Sequence, residues 1–364
     1  MQENSINVAV IGCGRIAGHH CRSITDTPGI KLVAVCDLDI ARAIEYQKQF
    51  DVKAYDNYHT MLQENKIDVV AIITPTGMHY EHAIEIISRY KKHIIVEKPT
   101  FLRPSQLIEI YVAANNLGLK IFPVFQNRYN KAVCRVIAGL KNGELGRIRT
   151  VAVRVRWNRP QRYYDMAPWR GTYALDGGSL ANQGIHHIDL MRLMGGEVKR
   201  VCALNRTLGA DIEVEDSAVA IIDFNNGAIG SLEITTAARP IDYEASISLV
   251  CENGLAQIGG IAVNELQIYT PDASACSEYS EDFSGNVYGY GHAKFYKELV
   301  SDLSMRYQFS ICEQDVLETI RFLNALYISD ENNNWVELRE CGDSKRLGKP
   351  DEKLSQLYRT SYSN

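Results

Sequence analysis

The 364-residue chain has no apolar run approaching a membrane span. The longest, around Val69 to Ile73, suits a buried strand; a spanning helix needs about 18 apolar residues. Basic excess is also lacking: Lys+Arg 39 against Asp+Glu 44 leaves a net charge of -5. That argues against nucleic acid or an anionic membrane as partner. A few local Arg residues can still bind an anionic substrate. There is no CxxC pair: the nine cysteines are scattered from Cys13 to Cys341 and odd in number. They read as reduced thiols, mostly small core residues, in a cytoplasmic protein, with no metal site. Low-complexity linkers and fixed-period repeats are missing. The polar start, Met1 to Ser5, runs straight into a strand and lacks the pattern of a secretory leader. What is present is globular composition, 46% hydrophobic and 23% charged. At roughly 150 residues per domain, two domains are expected.

The first third alternates strands and helices. Apolar runs at Ile6 to Ile11, Lys31 to Cys36, Val69 to Ile73, Ile94 to Val96 and Leu119 to Val124 read as strands. Amphipathic stretches lie between them, one marked by Ala41, Ile44, Tyr46 and Phe50, another by His82, Ile84, Ile86 and Ile87, a third over Pro104 to Leu117. Near-continuous apolar strands alternating with helices indicate a parallel sheet covered on both faces. After a helix over Tyr129 to Leu140 the pattern becomes strand-like: Val151, Val153, Val155 and Trp157 on one face, Arg154 and Arg156 on the other. Further strands are expected at Ser217 to Phe224, Ala228 to Thr235, Ala245 to Cys251, Gly254 to Ile258 and Glu265 to Tyr269. Two helices follow, His292 to Leu303 and Glu313 to Ser329, and the last fourteen residues should fray. The fold class is α/β plus α+β: residues 1-126 form a dinucleotide-binding domain, residues 127-364 a domain with an open, mostly antiparallel sheet.

Gly12-Cys13-Gly14-Arg15-Ile16-Ala17 fits G-x-G-x-x-G/A. It follows a strand, opens a helix, and has Asp37 at the end of the next strand. That context marks a Rossmann dinucleotide site: the glycines admit a pyrophosphate, the helix N-terminus stabilises its charge, and Asp37 accepts ribose hydroxyls. A carboxylate there repels a 2′-phosphate, so NAD is expected over NADP, although nearby Arg42 could accommodate that phosphate.

Three signals fall at carboxyl ends of strands, where such sheets bind ligands: Thr74-Pro75, Glu97-Lys98-Pro99 and Gln126-Asn127-Arg128. A Lys98 ammonium at the cofactor mouth can stabilise a developing alkoxide. If Leu180 to Met194 is helical, Asn182 and Asp189 flank His186 at i-4 and i+3, the setting of an oriented base. His187 lies on another face and reads as structural. The loop Trp157 to Asp165, followed by Trp169-Arg170-Gly171-Thr172, concentrates Arg and aromatic residues. It suits a ligand with phosphates and a planar base, or an oligomer interface. Gly285 to His292 is a less specific aromatic loop.

Together the glycine loop, Glu97-Lys98-Pro99 and Gly184-Ile185-His186-His187-Ile188-Asp189 resemble the Gfo/Idh/MocA oxidoreductase family over nearly the whole chain. The resemblance implies Lys98 and His186 as the catalytic pair, a Pro99 that is often cis, and sheet-to-sheet dimers or tetramers. Within the family, Gln126 to Asn130, the Trp157 to Asp165 loop, Trp169 to Thr172, Val263 to Gln267 and Asn182 look most like the UDP-N-acetylglucosaminuronate 3-dehydrogenases. That branch implies a UDP-sugar substrate oxidised at C3, for lipopolysaccharide sugar synthesis. Other family activities on inositol, free sugars or deoxysugar nucleotides stay open, as does a non-catalytic regulator. The expected cofactor set is Gly12, Cys13, Gly14, Arg15, Ile16, Asp37, Thr74, Pro75, His79, Glu97, Gln126, Trp169 and Arg170. The expected substrate set is Lys98, Arg128, Arg159, Gln161, Tyr163, Asn182, His186 and Tyr288. Which of Lys98 and His186 acts as the base stays open, because a lowered Lys pKa would exchange their roles.

Overall fold

The computed structural model describes residues 5-284 and 288-360. Gly285, Asn286 and Val287 of the aromatic loop lie outside the described residues.

Six parallel strands build the first sheet: β1 (Ile6–Ile11), β2 (Ile30–Cys36), β3 (Lys53–Tyr55), β4 (Val69–Ile72), β5 (His93–Val96) and β6 (Ile121–Pro123). Their order is β3-β2-β1-β4-β5-β6, and all five neighbouring pairs are parallel. Helices cover both faces, so Val69, Val70, Ala71 and Ile72 are all buried and the run is apolar without alternation. Strand β3 and the helix Tyr58–Glu64 were not expected. The strand sits at the sheet edge with only three residues, Lys-Ala-Tyr, too few for a periodic signal. The strand order reverses between β1 and β4, and this switch point opens a crevice at the carboxyl ends.

The second sheet has eight strands: β7 (Ile148–Arg156), β8 (Val198–Arg206), β9 (Ser217–Phe224), β10 (Ile229–Thr235), β11 (Glu244–Cys251), β12 (Leu255–Gly259), β13 (Glu265–Tyr269) and β14 (Val336–Glu337). The order is β13-β12-β11-β7-β10-β9-β8-β14. The sheet is mixed: β7 and β10 run parallel, and the other pairs are antiparallel. Strand β8 escaped the sequence reading because its polarity inverts near the end. Leu204 faces out and Asn205 is buried, its Nδ2 donating to Leu326 O at 3.5 Å. One face buries Val153, Val155, Ile222, Leu232 and Ile247; the helices Ile185–Gly195 and Glu313–Asn332 pack on this sheet. The opposite face leaves Leu204, Val219, Ile221 and Ile229 more than half exposed.

The two sheets are tied by long-range bonds. The helix Gly291–Leu303 packs on Ala17–Asp26, and the Tyr296 hydroxyl meets His20 Nδ1 at 2.7 Å. The C-terminal segment does not fray where expected. Asp351 caps the short helix Glu352–Gln356, and Arg359 forks onto Glu81. Residues 361-364 are not among those described.

Candidate active site

The loops at the carboxyl ends of the first sheet and the inner edge of the second enclose a cleft of about 1370 Å³. Its cofactor half is built on β1. Gly12 has φ +97, and a Cβ there would lie 2.4 Å from Ile73 O, so only glycine makes this turn. A Cβ on Gly14 would meet nothing within 4 Å; the backbone is bare toward the cleft, the cradle a pyrophosphate needs. The helix Ala17–Asp26 opens there with no side-chain cap, leaving N–H groups for an anion. Asp37 Oδ2 accepts from Cys13 N at 2.8 Å and Oδ1 from Asp39 N at 2.9 Å, which fixes the carboxylate at the cleft edge. Arg42 also lines the cleft, beside Asp39 at 3.2 Å. Gln126 Oε1 and Arg170 Nε are buried without a hydrogen-bond partner among the described residues. Such orphans are rare in finished cores and mark places for ligand atoms. The residues present therefore fit a dinucleotide.

The reactive end joins both domains. Lys98 follows β5, and its bond to Pro99 is cis. Lys98 Nζ donates to Asn182 O at 2.8 Å. Asn182 is held in turn by Asp176, which accepts from its Nδ2. Asp176 Oδ2 also accepts from Gly171 N at 2.7 Å. His186 lies in the first turn of the helix Ile185–Gly195 and faces the same cleft. Neither of its ring nitrogens has a hydrogen-bond partner among the described residues. Leaving a buried polar group unpaired costs about 1–3 kcal/mol; a bound hydroxyl would relieve that cost.

Burial sets the protonation here. It lowers Lys98, although the Glu97 and Asp176 carboxylates pull the other way. It takes His186 well below the ordinary histidine value, and the Lys98 charge adds to that. Burial also raises Asp176. Glu97 is the exception. Burial would raise it, but the His20 hydrogen bond at 2.9 Å and the His292 ring 3.7 Å away outweigh that and hold it well below the usual carboxylate range. Its Oε2 accepts the Lys98 backbone N–H at 2.9 Å. His20, Glu97 and His292 bring ligand-type atoms within 4.8 Å of one another. Both His20 nitrogens are already used, on Glu97 and Tyr296.

The far wall is cationic and aromatic. The Arg170 guanidinium lies over Tyr163 and Trp169, 4.3 and 4.6 Å from the ring centres. The Arg159 guanidinium lies near Trp157 and Tyr163 and is held by Asp242 at 2.9 Å. Gln183 donates to the Tyr163 hydroxyl at 3.0 Å.

Most of the expected site residues share this one cleft: Gly12, Cys13, Gly14, Arg15, Ile16, Asp37, Thr74, Pro75, Glu97, Lys98, Gln126, Arg159, Tyr163, Trp169, Arg170, Asn182, His186 and Tyr288. Three do not line it. Arg128 is buried, forked on Asp189 at 2.6 and 2.7 Å and bonded to Asp315 at 3.2 Å. A guanidinium so committed is not available to a substrate. His79 stands behind the wall, bonding Thr74 O and Pro99 O at 3.0 Å each. Gln161 turns away to Asp165 and the Asp211 backbone.

The expected pairing of His186 with Asp189 is also corrected. The expected helix is broken into a π-turn, Ser179–Gln183, and the helix Ile185–Gly195, and Asp189 serves Arg128 and Thr319. His187 packs edge-on against Trp157 as a buried ring. Asp242, Ile261, Ala262, Leu357, Tyr358 and Thr360 line the cleft without any local sequence signal, because tertiary folding alone brings them there.

Comparison with known proteins agrees with this geometry. Residues 6-125 match the model of the oxidoreductase family with an NAD-binding Rossmann fold, and residues 135-257 that of the GFO/IDH/MocA C-terminal domain. The WlbA dehydrogenase of Bordetella pertussis, solved with NADH and UDP-GlcNAcA, is 31% identical with TM-score 0.87, over 93% of this chain and 99% of that one. WlbA from Chromobacterium violaceum, in complex with the same two molecules, is 31% identical with TM-score 0.85, over 93% and 97%. The D-glucoside 3-dehydrogenase of Escherichia coli is 29% identical over 259 residues, 65% of this chain and 72% of its own. By fold, motifs and these matches, the chain belongs to the Gfo/Idh/MocA family of NAD-dependent oxidoreductases.

Proposed function

We propose that the enzyme oxidises the C3 hydroxyl of a UDP-N-acetylhexosaminuronate to the 3-keto sugar nucleotide. The observation that carries this is the Arg159–Trp157–Tyr163–Arg170 wall facing Lys98 and His186 across one cleft. Such a wall suits a sugar carrying a carboxylate, a diphosphate and a flat base. The two WlbA structures that hold NADH and UDP-GlcNAcA support the reading. The proposal extends to a role in supplying lipopolysaccharide sugars, as the sequence resemblance implies.

NAD, when bound along Gly12 to Ile16 and Asp37, supplies the acceptor for the hydrogen at C3. His186, neutral and with ring nitrogens unpartnered among the described residues, takes the hydroxyl proton. Lys98 donates to the same oxygen and stabilises its developing negative charge. The Asn182 carbonyl orients Lys98, and Asp176 fixes Asn182. Arg159 and Tyr163 hold the anionic part of the substrate. In this reading residues 1-126 seat the cofactor and residues 127-364 shape the sugar site. The half-exposed Leu204, Val219, Ile221 and Ile229 face suits a second copy of the chain.

A second reading, a free sugar or inositol, draws on the E. coli D-glucoside 3-dehydrogenase and the Thermotoga maritima myo-inositol 2-dehydrogenase, 29% and 26% identical. It leaves the cationic wall without a ligand. The test is a single-turnover assay with stoichiometric protein and NAD, comparing UDP-N-acetylglucosaminuronate, UDP-N-acetylglucosamine and myo-inositol. Nicotinamide reduction with the uronate alone is the expected result. Reduction by inositol alone would replace the proposal with the second reading.

A further inference from the structure

The C-terminal segment borders the cleft. It leaves the second domain at Gly348, whose N–H donates to Tyr173 O at 2.8 Å. Asp351 accepts from Leu354 N at 3.0 Å and starts the helix Glu352–Gln356. Beyond that helix, Leu357, Tyr358 and Thr360 line the same cleft as Asp37, Leu38 and Arg42 of the first domain and Met166 to Trp169 of the second. The Tyr358 phenol lies beside the Trp169 backbone and within the fields of Arg170 and Arg42. Arg359 points the other way. Its Nε and Nη2 fork onto Glu81 at 2.7 and 2.8 Å, and its Nη1 meets Glu352. Glu81 belongs to the helix His79–Glu85, which hangs from the first sheet. The segment thus fastens to both sides of a cleft that a dinucleotide must enter.

We propose that Leu357 to Thr360 is a strap over the adenosine end of the cofactor site, with Arg359 and Glu81 as its latch. It rests on the reading of this cleft as the NAD site. Asp37 defines the adenosine ribose position; the strap residues line the same cleft, and Tyr358 lies within the field of Arg42, which follows Asp37 on the first domain. Release of the dinucleotide then requires the strap to lift. Arg359 and Glu81 are about one-third exposed, at 32% and 38%. An exposed ion pair alone changes an equilibrium by roughly two- to fivefold. The strap as a whole also removes apolar ligand surface from water, so its loss should matter more than loss of the latch.

The experiment loads the 364-residue chain with NADH, chases with excess NAD, and follows nicotinamide fluorescence in a stopped-flow instrument. A chain ending at Gln356 is expected to release NADH about tenfold faster or more. Arg359→Glu and Glu81→Arg should each speed release roughly two- to fivefold. The double exchange should recover part of that loss, although Glu352 also meets the residue at 359. If the shortened chain unfolds early in thermal melts, the exchange series carries the test. Release unchanged by the truncation and by both single exchanges would overturn the strap while leaving the cofactor reading intact. Failure of the unmodified chain to bind NADH would overturn both.

Discussion

The two ends of the cleft are built on opposite plans. At the cofactor end, consecutive residues do the work through their backbones: Gly12 turns, Gly14 leaves open space beside the chain, and Asp37 is pinned by Cys13 and Asp39 amides. At the substrate end, side chains from distant segments converge, and several have no hydrogen-bond partner among the described residues: both His186 nitrogens and Trp157 Nε1. The first end is a rigid receptor for a ligand of fixed shape. The second stays incompletely satisfied until a polar molecule arrives, which suits it to chemistry and to selectivity.

This contrast can be broken by substitution. The largest effect should come at the substrate end. Lys98→Ala and His186→Ala should each slow hydride transfer about 10²–10⁴-fold, measured in a single turnover, while NADH titration shows unchanged affinity. Loss of NADH binding in step with activity would merge the two ends into one.

Arg128→Ala tests whether that arginine belongs to the site at all. It leaves Asp189 buried without its fork, so denaturant unfolding should show a loss of about 3–5 kcal/mol. A stable variant with a raised KM would return Arg128 to the substrate.

At the cofactor end, Asp37→Ala removes a charged acceptor and should weaken NAD about 10- to 100-fold, with discrimination against NADP reduced. Equal titrations for wild type and variant would deny the ribose assignment.

The smallest effect is a displaced pH profile. Burial lowers His186, so its basic form persists into acid and the acidic limb should lie below the ordinary histidine pKa near 6.5. Burial lowers Lys98 too, so loss of its proton should bring the alkaline limb in below the ordinary lysine value near 10.4. Limbs of kcat at the ordinary values would mean that water reaches both groups.

How much was legible follows the same division. The first sheet apart from its edge strand β3, its turn and Asp37 could be read because the other strands are near-continuous apolar runs and the motif is local. Lys98, Asn182 and His186 could be read through their motif context. The pairing of His186 with Asp189 could not. Helical spacing predicted it, but Arg128 and Thr319 compete for the carboxylate from afar. Strand β8 was hidden by an outward Leu204 and an inward Asn205. The C-terminal strap looked like a polar tail because its order comes from Glu81, 278 residues earlier.

The most direct test uses UDP-N-acetylglucosaminuronate deuterated at C3, reacted once with NAD on the enzyme. The account predicts that deuterium appears on the reduced nicotinamide and that the transfer is slowed relative to the protiated sugar. Reduced nicotinamide free of deuterium would show oxidation at another carbon and contradict the assignment of C3 to Lys98 and His186.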